Sequence, residues 1–278
     1  MDIQATLEAI AAEAARGEMI FPTHVQIDLQ VQHLLDDPDC SIDRLCKLIS
    51  AEPVLSARVV GVANSIAYNP SGRTSSDLRG AVARIGFKTL RTLASAVVVR
   101  QMQEMPKSAE HRAMAARLWE HTAQVATLAR VIARKVTHQD PEAAFFAGIV
   151  HEIGGFYLIS RAASFPGLLS GDLEPWHGLG EAQVGRAVLN ALSVPADILA
   201  ALDAMWDGYL AMPPQSLGDT LLLADELAST ESPLDALSGM SRNGLSADID
   251  LVIGDDMLQG ILADSAEEMA SLISALSK

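Results

Sequence analysis

Apolar residues recur three and four positions apart through almost the whole chain, the spacing that gathers them on one face of an α-helix. Runs that alternate apolar and polar residues between hairpin turns, the mark of half-buried strands, are missing from it. The pattern therefore predicts an all-α fold. Its punctuation is clear: Asp36-Asp37-Pro38 closes one helix, Ser41 can cap the next, and Pro53 suits the first turn of a third. Asn69-Pro70-Ser71-Gly72 reads as a loop, and Asp140-Pro141 as an N-cap followed by proline at the first helical position.

These breaks predict an N-terminal helix over 1–19, a lobe of short helices over 20–105, a lobe of longer helices over 106–230 and a helical extension over 231–278. A long helix near 109–136 is expected to pack against its neighbours through its Ala-rich run AMAAR. Residues 163–179, with Pro166, Gly167, Gly171, Pro175 and Gly178, form the longest loop-like stretch of the interior. The extension contains DIDLVI and an amphipathic AEEMASLISALSK, expected to dock on its own chain or to form a dimer contact.

With 278 residues, 49% of them hydrophobic, the chain can bury a sizeable core. A net charge of -15 disfavours a nucleic-acid binder, which needs clustered cations to displace counterions, and it disfavours docking on anionic lipid. No stretch approaches the roughly 20 apolar residues that span a bilayer, and the acidic start MDIQATLEAIAAEAARGE lacks the features of a signal peptide. Cys40 and Cys46 have no metal-ligand spacing, so reduced thiols in a cytoplasmic protein are expected, Cys46 as a small buried hydrophobe. The common phosphate-cradling and hydrolase motifs are not found in the sequence.

Chemistry enters with four polar residues set in apolar helices: His121 in LWEHT, His151 and Glu152 in AFFAGIVHEIGG, and Asp225 in LLLADELA. Imidazoles and carboxylates converging from several helices are what a divalent metal needs to activate water against a phosphate ester. His121 shares its helix face with Leu118, Val125, Leu128 and Ile132, so it reads first as a core histidine bonded to a carbonyl or carboxylate. His151 ends an apolar helix, where it can serve as ligand or cap. Asp225 also faces inward or along a lobe interface and needs a partner, which His121 or His151 would supply. Elsewhere, Leu78 to Gln103 carries no acid but holds Arg79, Arg84, Lys88, Arg91 and Arg100. Arg84, Lys88 and Arg91 are candidates for docking an acidic or phosphate-bearing partner, against the plainer reading of a solvated face.

The run ISAEPVLSARVV, the pair Asn64-Ser65 followed by Tyr68, the run AVARIGFKTLRTL and a proline near the lobe start, Pro22, resemble the HDOD family, the HD-related output domains of bacterial signalling. LWEHTAQVATLARVIA, PEAAFFAGIVHEIGGFYL, VGRAVLNALSVPADILAAL and LLLADELAS continue the resemblance over residues 20–230. It implies a two-lobed helical fold with an HD-like second lobe and a regulatory role. Asn64-Ser65 is expected to organise the first lobe. Two departures from an HD enzyme bear on chemistry. Glu152 stands for an aspartate, its extra methylene moving the carboxylate by about 1.5 Å, and Asp203-Ala204-Met205-Trp206 stands where related domains carry a histidine pair. The expected function is a non-catalytic signalling module with a degenerate metal site. It acts through an unidentified protein partner or a small ligand in a groove between lobes, without cofactor beyond one weakly bound divalent metal. The alternative is an HD-type phosphohydrolase of a nucleotide or phosphate ester, with His121, His151, Glu152 and Asp225 as ligands.

Overall fold

The computed structural model describes residues 2–16, 18, 25–169, 176, 180–211, 213–238 and 255–277. Every regular element among them is helical. In chain order these are α1 (Ile3–Ala15), α2 (Val25–Asp36), α3 (Ile42–Ile49), α4 (Pro53–Ala63), α5 (Leu78–Glu104) and α6 (Ala109–Ile132), which runs into a π-helical turn, Ala133–Thr137. Then come α7 (Pro141–Val150), α8 (Ile153–Arg161), α9 (Glu181–Ala191), α10 (Ala196–Trp206), α11 (Leu217–Glu226), α12 (Pro233–Ser238) and α13 (Asp255–Ser277). Helix starts fall where their chemistry puts them. Ser41 accepts the Arg44 N–H at 3.3 Å, Asp140 accepts from Glu142 and Ala143, and Pro53 opens α4. The long sixth helix covers the span its periodicity suggests, with a π-helical last turn to Thr137. The π-helical turn follows Ile132, and His138 in the left-handed region (φ 53°) ends the helix.

The chain forms two compact units, Thr23–Val98 with Asp256–Lys278, and Met1–Pro22 with Val99–Asp255. The first unit thus takes α13 from the C-terminal extension, while α1 and α12 belong to the second, a division that sequence-contiguous lobes do not express. In the first unit the Ile66 N–H donates to Ser271 Oγ at 3.0 Å, and α13 buries Ser265, Leu272, Ala275 and Leu276. The amphipathic tail therefore packs on its own chain.

Asn64 closes α4 and holds the strand of chain that leads to α5. Its Oδ1 accepts the Ser75 N–H at 2.7 Å, its Nδ2 donates to the Ser75 carbonyl at 2.8 Å, and Arg84 donates to the Ala63 carbonyl at 2.9 Å. Ser65 only turns back on the Val62 carbonyl, at 2.7 Å. Replacing Asn64 by Ala leaves both Ser75 backbone groups unpaired in a half-buried site. The expected loss is about 2 kcal/mol in denaturant-induced unfolding. α5 itself is broken at Gly86, whose φ of 78° and ψ of 173° suit glycine alone.

The second unit is built around α6, α7 and α8, whose buried residues include Leu118, Phe145, Phe156 and Tyr157. α1 adds Leu7, Ile10 and Ala14, and Arg161 on α8 pairs with its Glu13 at 2.8 Å. Contrary to the reading of the sequence, Pro141–Arg161 is long and apolar enough by length and composition to cross a membrane, but 89% of its apolar window is buried inside the unit, as in the core of a folded domain. Trp176 is fully buried. Pro22, Gly171, Pro175, Gly178 and DIDLVI lie outside the described residues.

Candidate functional site

The four polar residues marked by the sequence all belong to the second unit, and small residues bring them together. α6 carries His121 in a face that is buried throughout. α7 crosses it at Gly148, where an added Cβ would lie 2.4 Å from Ala126 Cα and 2.9 Å from Ala126 N. Only glycine permits this approach. α7 then ends at His151, and Glu152, with φ -98° and ψ 15°, breaks the path before α8 begins. At Gly155 a Cβ would meet Glu152 Oε2 at 2.8 Å and Leu234 Cδ1 at 2.6 Å. α11 supplies Asp225, and the chain then crosses the site as residues 229–232 before α12.

His121 is 0% exposed, His151 2% and Glu152 6%. Each histidine directs Nδ1 at a backbone carbonyl 2.8 Å away, Thr230 for His121 and Gly148 for His151. A carbonyl only accepts, so both Nδ1 atoms carry hydrogen and both Nε2 atoms are left as bases. These Nε2 atoms lie 3.2 Å apart, and Asp225 Oδ1 is 3.1 Å from that of His121. Two lone pairs cannot face each other at this distance without a positive charge to share. A proton on His121 Nε2 meets the need, donated to Asp225 or to His151.

The electrostatics agree. Burial opposes the charged form of His121, yet the hydrogen bond and charge of Asp225, with help from Glu152 and the Thr230 carbonyl, raise its pKa above the ordinary value. Burial pushes the Glu152 carboxyl up to about 8, reinforced by Glu181 and Asp235 against the opposing pull of His121 and the Ser232 hydroxyl. The two groups share one decision, since a charged His121 favours a charged Glu152. Asp225, the more open carboxylate at 24% exposure, is the natural counter-charge, and Glu152 is the group held neutral.

The same atoms fit a single divalent cation. Donor atoms of His121, His151 and Glu152 lie within 4.8 Å of one another, and Asp225 adds a carboxylate oxygen beside His121. Both imidazoles are oriented by carbonyl partners, as metal-ligating histidines are. Glu152 Oε1 accepts from the Ser232 hydroxyl at 2.8 Å, whereas Oε2 is buried without a hydrogen-bond partner. Two imidazole nitrogens with two carboxylate oxygens suit zinc, manganese, iron or nickel. The longer side chain of Glu152 leaves a carboxylate oxygen within 4.8 Å of the imidazole donors.

Three participants escaped the sequence reading. Gln124, one helical turn after His121, accepts the Thr230 N–H and the Ser229 hydroxyl, both at 3.0 Å, and donates to Thr230 Oγ1 at 2.9 Å. Thr230 and Ser232 complete the set. The spacing His121-Gln124 was the available signal, but its partners lie more than 100 residues along the chain. The other candidates take different places. Trp206 packs over Gly185, and its indole nitrogen is buried without a hydrogen-bond partner. Met205 is half-buried. In the first unit Arg84 holds the end of α4, and Arg91 donates to Gln32 Oε1 at 2.8 Å and pairs with Asp36. Lys88 is exposed. Cys40 and Cys46 are half-buried, and burial raises both thiols, which disfavours the reactive thiolate.

Known proteins of this shape exist. The fold matches that of a protein from Shewanella amazonensis SB2B provisionally named a metal-dependent phosphohydrolase, with a TM-score of 0.70 at 19% identity over 99% of this chain and 100% of that one. It also matches an HDOD domain protein of unknown function from Geobacter sulfurreducens (TM-score 0.62, 21% identity, covering 100% and 99%). A provisionally named signal transduction protein from Marinobacter aquaeolei VT8 matches too (TM-score 0.62, 16% identity), over 100% of this chain and 67% of that one. No curated protein matches the sequence. The sequence profile of the HDOD domain covers residues 21–206, a span that includes His121, His151 and Glu152 and stops before Asp225. A match over more than half of the residues, joined to a helical fold shared with an HDOD protein of known structure, settles the ancestry: the chain belongs to the HDOD domain family.

Proposed function

We propose that this HDOD protein is a non-catalytic regulatory module whose HD-type centre survives as a buried site for a proton or one divalent cation. The observation that carries the reading is closure of the centre by its own chain. Thr230, Ser232 and Leu234 lie against His121, Glu152 and Gly155, and the histidines and Glu152 are nearly solvent-free. Hydrolysis requires a phosphate ester to reach a metal-activated water, and of the four candidate ligands only Asp225, at 24%, is partly exposed. The want of a histidine pair at 203–206 supports the same reading, because a second metal has fewer ligands to draw on. Membership of a family of signalling output domains supports a regulatory role, which we read as cytoplasmic and exercised through an unidentified protein partner.

Loading the purified protein with manganese, nickel or zinc and offering it bis(p-nitrophenyl) phosphate and a panel of nucleotides is the test. Calorimetry should give at most one metal per chain, lost in His151→Ala, and turnover should not exceed that of buffer. Turnover that requires metal and disappears in His151→Ala would make the protein a phosphohydrolase instead.

A further inference from the structure

We infer that residues 229–234 are the read-out of the buried centre: a divalent cation held by His121, His151, Glu152 and Asp225 would lock this segment in place. The inference rests on the reading of the centre as a one-cation site. Its basis is that two of the four ligands face both ways. His121 presents Nε2 to the centre and gives its Nδ1 hydrogen to the Thr230 carbonyl at 2.8 Å. Glu152 has one carboxylate oxygen on Ser232 at 2.8 Å, its other oxygen is buried without a hydrogen-bond partner, and the carboxylate lies within 4.8 Å of the imidazole donors. Neither ligand has to release the segment in order to bind.

Ligation instead strengthens both attachments. An imidazole bound through Nε2 becomes a better donor at Nδ1, and a bound carboxylate stays ionised and remains a full acceptor for the Ser232 hydroxyl. Orienting partners of this sort are part of a metal site even though they touch no metal. Gln124 supplies the remaining anchor. Its amide accepts the Thr230 N–H and donates to Thr230 Oγ1, and it is not among the donor groups of the centre. Leu234, which opens α12 with Pro233, packs over Gly155, so ordering of 229–232 reaches α12 directly. The centre thereby acquires an output that needs no substrate.

Hydrogen exchange followed by mass spectrometry on the full chain, with and without manganese or zinc, tests this. At metal about a hundredfold above Kd, peptides spanning 227–236 should exchange on the order of tenfold more slowly or better. His151→Ala removes a ligand whose ring nitrogens meet the Gly148 carbonyl and His121, and it should abolish both binding and the protection. Gln124→Leu should retain stoichiometric metal while losing most of the protection at Thr230. Metal bound at one per chain with unchanged exchange at 227–236 overturns the inference and leaves the one-cation reading standing. If none of manganese, nickel and zinc binds by calorimetry, the inference and the one-cation reading both fail.

Discussion

Gly148→Ala is expected to lower the stability of the protein by about 3 kcal/mol or more, although it adds a single methyl group to a helix. The atoms that a Cβ at 148 would strike are Ala126 Cα at 2.4 Å and Ala126 N at 2.9 Å, both backbone. No rotamer change can move them. α7 would have to retreat from α6, and the 0% exposure of Phe145, Ile149 and Val150 shows how much packing would be disturbed. The usual helix preference for Ala over Gly, worth about 1 kcal/mol, acts in the opposite direction and is too small to win. For a chain of this size the melting temperature should fall by roughly 6–12 °C. The double variant Gly148→Ala/Ala126→Gly discriminates further: removing the Ala126 methyl relieves only the 3.1 Å contact and should rescue little. A melting temperature within a degree or two of the parent protein would show that the helices are not held at this separation. Because the Gly148 carbonyl also orients His151, metal affinity should fall with stability.

In metal-free protein, Glu152→Gln should be more stable than the parent at pH 8.5 and about equal to it at pH 5. The sign follows from proton linkage. Glu152 titrates near its ordinary value when unfolded and at about 8 when folded, so between these pH values the folded chain holds the extra proton. Its contribution is fully present below the unfolded pKa and is lost as pH rises through the folded one. Over that window the loss is on the order of 4 kcal/mol, at about 1.4 kcal/mol per unit. Gln keeps an acceptor for Ser232 and has no proton to lose. His121 runs in the same direction, since Asp225 raises its pKa and its share also fades with rising pH, and that part persists in the variant. Urea midpoints from pH 5 to 9 in EDTA would measure this. Parallel curves for the two proteins would mean that Glu152 is ionised at ordinary pH, with a cation-like partner in the folded state.

Much of the fold was legible before any coordinates. Ser41, Pro53 and Asp140 act locally, through hydrogen bonds and dihedrals within a few residues, so they mark helix starts in sequence as they do in space. His121, His151 and Asp225 were recognisable because a polar side chain inside an apolar helix face must be satisfied by something. What could not be read was the partner. Arg84 and Arg91 look like docking cations in a stretch without acids, yet Arg84 serves the end of α4 and Arg91 serves Gln32 and Asp36. Gln124 shows the converse, an inconspicuous residue whose role appears only when residue 230 is brought beside it.

By itself the sequence determined the helical class, several helix starts, the inward face of His121 and the family, since these depend on local periodicity and on residue types. Only the tertiary structure decided which polar groups meet. It placed two Nε2 atoms 3.2 Å apart, left Glu152 Oε2 without a hydrogen-bond partner, carried α13 back to the first unit, and laid residues 229–234 across the centre. The physical reason is that hydrogen bonds and buried charges act over a few ångströms, whereas the residues making them here are separated by up to 109 positions, a distance that only the packing of α6, α7 and α11 removes.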